Sequence, residues 1–132
     1  MLVLLTAGLA TAGSTIGVAP ARGDVTTVGS IAYSSDHGGI RQLYAVNPID
    51  GTTRAVTTDS RQNLDPAWSP DGSSIAYAVK TSRFSVVSHI YLLDPSGQRH
   101  QLTTKQAVDR SPAWSPDGTR IAFSRSSGTG GD

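Results

Sequence analysis

The chain has 132 residues, 11 basic and 10 acidic side chains and a net charge of +1, which points to neither an acidic partner nor nucleic acid, and no basic stripe is visible. It contains no cysteine, which removes disulfides, thiolate nucleophiles and zinc–thiolate sites together. Its 37% of apolar residues is enough for the core of a single domain.

Residues 1–21 carry no charge and run from the apolar Leu2–Leu5 through Ala, Gly and Thr to Ala19-Pro20-Ala21, an A-x-A pattern just before Arg22. A signal peptide cleaved after Ala21 fits this pattern, although a basic residue after Met1 is missing. The rival reading is an uncleaved membrane anchor, because the run is long enough to span a bilayer. In both cases the remainder of the chain faces away from the cytoplasm, in the periplasm or the medium. Residues 22–28 form a linker, and 29–132 a β domain.

That domain repeats itself. Pro66-Ala67-Trp68-Ser69-Pro70-Asp71-Gly72 returns unchanged, 46 residues later, as Pro112-Ala113-Trp114-Ser115-Pro116-Asp117-Gly118. Each copy runs into an Ile-Ala-aromatic triplet, Ile75-Ala76-Tyr77 and Ile121-Ala122-Phe123, with an earlier triplet at Ile31-Ala32-Tyr33. A period of this length marks stacked repeats rather than one globular core. The first unit predicts three strands (29–35, 41–47 and 52–57), the second four (63–69, 73–79, 88–93 and 98–103) and the third two (110–115 and 120–125). Pro70-Asp71-Gly72 and Pro95-Ser96-Gly97 predict type I turns closed by a left-handed glycine.

In the second strand of unit two, Ile75, Tyr77 and Val79 share one face while Ala76 and Ala78 fill the other. A strand apolar on both faces must be covered on both. Sheets stacked around an axis do this, with Trp68 and Trp114 as packing residues between blades. Pro66 and Pro112 lack an N–H and place the first strand of each unit at a sheet edge, the innermost one in a radial assembly.

The series Pro-x-Trp-Ser-Pro-Asp-Gly, Ile-Ala-Tyr/Phe, then Leu43-Tyr44-Ala45-Val46-Asn47 or Ile90-Tyr91-Leu92-Leu93-Asp94, and finally Val56-Thr57 or Leu102-Thr103, resembles the WD-like beta-propeller repeat of the TolB family. The resemblance implies an all-β fold of antiparallel four-stranded blades. About two to three blades are present, so the expectation is an incomplete ring and a fragment of a longer protein, because closed rings need about four to eight blades. The family usually carries an Asp three residues before the repeat Pro; Asp109 supplies it, whereas Asn63 stands there in unit two.

Catalytic signatures are missing from the chain: it has no Gly-x-Ser-x-Gly elbow, no metal-spaced His cluster and no phosphate-cradling Gly-Lys loop. No catalytic residue, metal or cofactor is therefore expected. His37, His89 and His100 fall on separate elements. Asp71 and Asp117 belong to equivalent turns and read as turn residues rather than an acid–base pair. The marked residues are thus architectural: Pro66, Trp68, Pro70, Asp71 and Gly72, and their copies Pro112, Trp114, Pro116, Asp117 and Gly118. One stretch departs from the repeat, the loop from Lys80 to Val87, where Lys80, Arg83 and Phe84 are candidates for a partner contact.

The resemblance implies a non-enzymatic scaffold for protein partners outside the cytoplasm, with no nucleic acid and with membrane contact only if residues 1–21 are retained. Two alternatives stay open. One is the propeller of a prolyl oligopeptidase-like serine hydrolase whose catalytic domain is missing; the other is a sensor ectodomain.

Overall fold

A computed structural model describes residues 2–6 and 29–127. Most of the expected leader, the 22–28 linker and the 128–132 tail lie outside the described residues. The described elements are all strands: β1 (Leu2–Thr6), β2 (Ile31–His37), β3 (Ile40–Val46), β4 (Thr53–Ala55), β5 (Asn63–Trp68), β6 (Ile75–Lys80), β7 (Ser88–Leu93), β8 (Arg99–Gln101), β9 (Ala107–Trp114) and β10 (Arg120–Ser127). Nine of these match the nine strands expected from the repeats, each within a few residues. β1 is additional.

The strands form an incomplete propeller ring. Blade one is the sheet β2-β3-β4, and blade two is the four-stranded meander β5-β6-β7-β8. Blade three pairs β9 with β10, whose other edge carries β1. All these pairings are antiparallel. A parallel bridge, Ser88 to Val108, ties blade two to blade three.

Repetition of the turns follows from their chemistry. The Gly72 N–H donates to the Ser69 carbonyl at 2.7 Å and the Gly118 N–H to that of Ser115 at 2.9 Å, with φ of 64° and 70° at the glycines. These values lie in the left-handed region, which a side chain disfavours. The Thr that closes each unit has an equally local cause. Thr57 and Thr103 are buried, and their hydroxyls accept the N–H of Leu43 and of Ile90, each at 2.9 Å. The side chain thus continues a ladder that the backbone leaves, which is why Val-Thr and Leu-Thr recur.

β6 is the centre of the packing. Ile75, Ala76, Tyr77, Ala78 and Val79 are all buried. On one face Ile75, Tyr77 and Val79 join Leu43 of blade one and Leu93, with Trp68 packed against them. On the other, Ala78 meets Phe123 of blade three with Leu64 and Ile90, while Ala76 meets Ile121, with Trp114 alongside. Large side chains of one blade thus settle on the alanines of the next. Burial of a side chain such as Phe123 contributes roughly 2–3 kcal/mol. Both tryptophans are half-buried rather than fully enclosed.

Candidate binding surface

β5 and β9 are the first strands of their blades, and both carry the same irregularity. The pairing of β5 with β6 shifts between Leu64 and Ala67, and that of β10 with β9 shifts between Ala122 and Ser124. Asp65 and Ser111 occupy these bulges, each with φ of 52°. Neither bulge is legible in the sequence, since neither residue is a glycine and only Asp is at all frequent in this conformation. Their effect is to turn Asp65 towards blade three. Its carboxylate accepts Arg110 Nε at 2.7 Å and the Ser111 N–H at 3.2 Å.

Other polar side chains are spent in the same way. Asp109 is fully buried and receives Arg125 through two bonds, Nε to Oδ1 at 2.6 Å and Nη2 to Oδ2 at 2.7 Å. Burial is the largest single influence and would raise the Asp109 pKa, but the hydrogen bonds from Arg125 and Thr103 and the Arg125 charge together hold the carboxyl below its usual range. Asp59 pairs with Arg99 and accepts Asn63 Nδ2 at 3.1 Å, while Gln42 Nε2 reaches across from blade one to the Asp59 carbonyl at 2.7 Å. Asp71 accepts Ser69 Oγ at 2.6 Å and the Ser73 N–H at 3.1 Å; Asp117 repeats this with Ser115 Oγ at 2.6 Å and the Thr119 N–H at 3.0 Å. The Ser115 hydroxyl and Thr119 keep the Asp117 carboxyl ionised down to a pKa of about 2. The two turns are neighbours, as a Cβ on Gly118 would lie 3.7 Å from Pro70 Cδ. Each carboxylate is nonetheless engaged within its own turn.

His89 is buried on β7, His100 Nε2 lies 2.7 Å from Asp94 Oδ2, and His37 ends β2. No cluster of three potential metal ligands occurs among the described residues. No helix among them is long and apolar enough to cross a membrane.

The chain from Thr81 to Val87 is different. Its base is closed by the Thr81 N–H donating to the Val87 carbonyl at 3.1 Å, and Thr81 Oγ1 donates to Ser85 Oγ at 2.7 Å. Phe84 projects from it with 90% of its surface exposed, and Val86 with 62%. The Arg83 guanidinium stands 5.8 Å from the Phe84 ring centroid and reaches the blade-one hairpin, where a Cβ on Gly39 would be 2.5 Å from Nη2. Lys80, half-buried, ends β6. This loop is therefore a braced apolar projection between two blades.

Residues 14–132 match the profile of the TolB beta propeller domain. The chain belongs to this family. Among solved structures, a protein of Agrobacterium tumefaciens assigned as TolB superposes with a TM-score of 0.67 at 23% identity, over 78% of this chain and 36% of that one. The TolB-like chain thus spans about a third of that structure's length, and the likeness concerns the fold. No curated protein matches the sequence.

Proposed function

We propose that this TolB-like propeller is a non-enzymatic scaffold that engages a protein partner outside the cytoplasm through the Lys80–Val87 loop. The observation that carries the reading is Phe84, 90% exposed on a loop braced against two blades. A large aromatic in that setting loses little conformational freedom on binding and suits the centre of a protein interface. The carboxylates that could serve as general acids or bases are instead engaged in turns and ion pairs. Export rests on the uncharged 1–21 run and Ala19-Pro20-Ala21, although the family match already opens at residue 14.

A photo-crosslinking side chain in place of Phe84, in cells expressing the chain, should trap a discrete protein adduct that Arg83→Glu weakens. A crosslinker on Ile49, 67% exposed on blade one, should not trap it. Equal labelling from both sites would overturn the loop assignment. N-terminal sequencing of exported protein should begin at Arg22; intact Met1 in a membrane fraction would instead indicate an anchored ectodomain.

A further inference from the structure

The Tyr77 hydroxyl adds nothing to the packing of β6. Its ring is buried with Leu43 of blade one and with Leu93, and its Oη has no partner among the described residues. Forty-six residues on, the equivalent position of blade three is Phe123, equally buried and without a hydroxyl. A ring alone therefore fills this position, and a buried donor left unpaired is a cost that packing does not explain.

Two guanidinium groups stand around that hydroxyl. Arg61, on the connection into β5, lies with its guanidinium carbon 5.4 Å from the Tyr91 ring centroid, and the Tyr91 ring is 6.1 Å from that of Tyr77. Arg61 Nη1 donates to Tyr91 Oη at 3.4 Å, a long bond that holds the side chain lightly, and Arg61 pairs with no carboxylate among the described residues. Asp59 is close but spent: it pairs with Arg99 and accepts the Arg61 backbone N–H at 2.7 Å and Asn63 Nδ2 at 3.1 Å. The charges of Arg99, Asp59 and Arg61 all act on the Tyr77 hydroxyl, and among these three one positive charge is left uncompensated.

The repeat drops these features together. The residue equivalent to Arg61 at the next junction is Ala107, and the ring there is Phe123. Where the guanidinium is absent, the hydroxyl is absent as well.

We propose that Arg61, Arg99 and Tyr77 form a binding site for a phosphate group at the junction of blades one and two. The planar fork of Arg61 matches two phosphate oxygens, and the partly exposed Arg99 adds a second charge. Tyr77 Oη, closed to solvent in this structure, is the third donor, reached as the lightly held Arg61 side chain turns from Tyr91 to the anion. Donors from three segments, the connection into β5, β8 and β6, call for more than two oxygens, which favours phosphate over a carboxylate. This inference does not depend on the Phe84 loop.

The test titrates the full chain with inorganic phosphate and with glycerol phosphate at constant ionic strength, following the Arg61 and Arg99 Nε–Hε signals by NMR, with sodium chloride as control. Both signals should shift saturably with phosphate and stay in place with chloride, and the tighter of the two phosphates tells a free ion from an ester. Arg61→Gln, read at Arg99, should weaken binding by about tenfold or more. Tyr77→Phe should weaken it by about fivefold while folding at least as stably as the parent chain, so that the loss cannot come from unfolding. Absence of a saturable shift, equal shifts with chloride, or unchanged binding in either variant would overturn the proposal.

Discussion

Asp109 on β9 and Arg125 on β10 face each other as register partners, and in blade two the equivalent partners are Asn63 and Val79. The repeat thus exchanges a buried ion pair for an amide beside an apolar residue at both positions together. Removal of one partner from a buried pair leaves an uncompensated charge, at a cost of about 3–5 kcal/mol. Arg125→Val should show a loss of that size in urea unfolding. Asp109→Asn with Arg125→Val, which installs the blade-two arrangement, should recover at least half of it. Additive losses in this cycle would show that the two positions are not coupled.

The two tryptophans make a second contrast. Trp114 Nε1 donates to the Ala67 carbonyl of blade two at 3.0 Å, whereas Trp68 Nε1 is buried without a partner among the described residues. A satisfied hydrogen bond contributes about 1 kcal/mol, while a buried donor left unpaired is itself a penalty. Trp114→Phe should therefore be the more destabilising of the two substitutions, by about 1 kcal/mol. The reverse order in chemical denaturation would contradict this account.

Tyr77 is fully buried and its hydroxyl lacks a partner among the described residues. Burial pushes its pKa up to about 12, so it stays neutral at physiological pH. Tyr77→Phe keeps the ring and removes the orphaned hydroxyl. The expected result is unchanged or greater stability, by up to about 1 kcal/mol, read as a higher unfolding midpoint.

Acid should loosen the turns and the ion pairs together. Hydrogen bonds from Ser96 and His100 lower the Asp94 carboxyl to about 2, from 3.8. Asp109 and Asp59 are lowered as well: burial, the largest single influence, opposes the shift in both, but Arg125 and Thr103 together prevail for Asp109, and the Arg61 N–H, Arg99 and Asn63 together for Asp59. A carboxylate with a depressed folded-state pKa stabilises the fold above its unfolded value. That stability is lost as pH falls through the folded value. Thermal midpoints should hold steady from neutrality to about pH 4 and fall between about pH 4 and 2. A midpoint that fell already between pH 7 and 5 would assign acid sensitivity to other groups.

The strands, the turns and the family were legible in the sequence because each rests on a local or repeated signal. Gly72 and Gly118 close turns that Pro and Asp prepare, and Ile75–Val79 is apolar on both faces whatever surrounds it. The polar ties between blades were not legible. Asp65 and Arg110 are 45 residues apart, and no periodicity predicts that a bulge will turn one towards the other. The placement of Leu2–Thr6 was equally hidden, for an uncharged apolar run suits a leader, an anchor or a strand. Hydrophobic pattern determines which residues must leave water, and that much the chain carried by itself. Which edge and which charge receive them depends on stacking one blade against the next, and only the tertiary structure decided it.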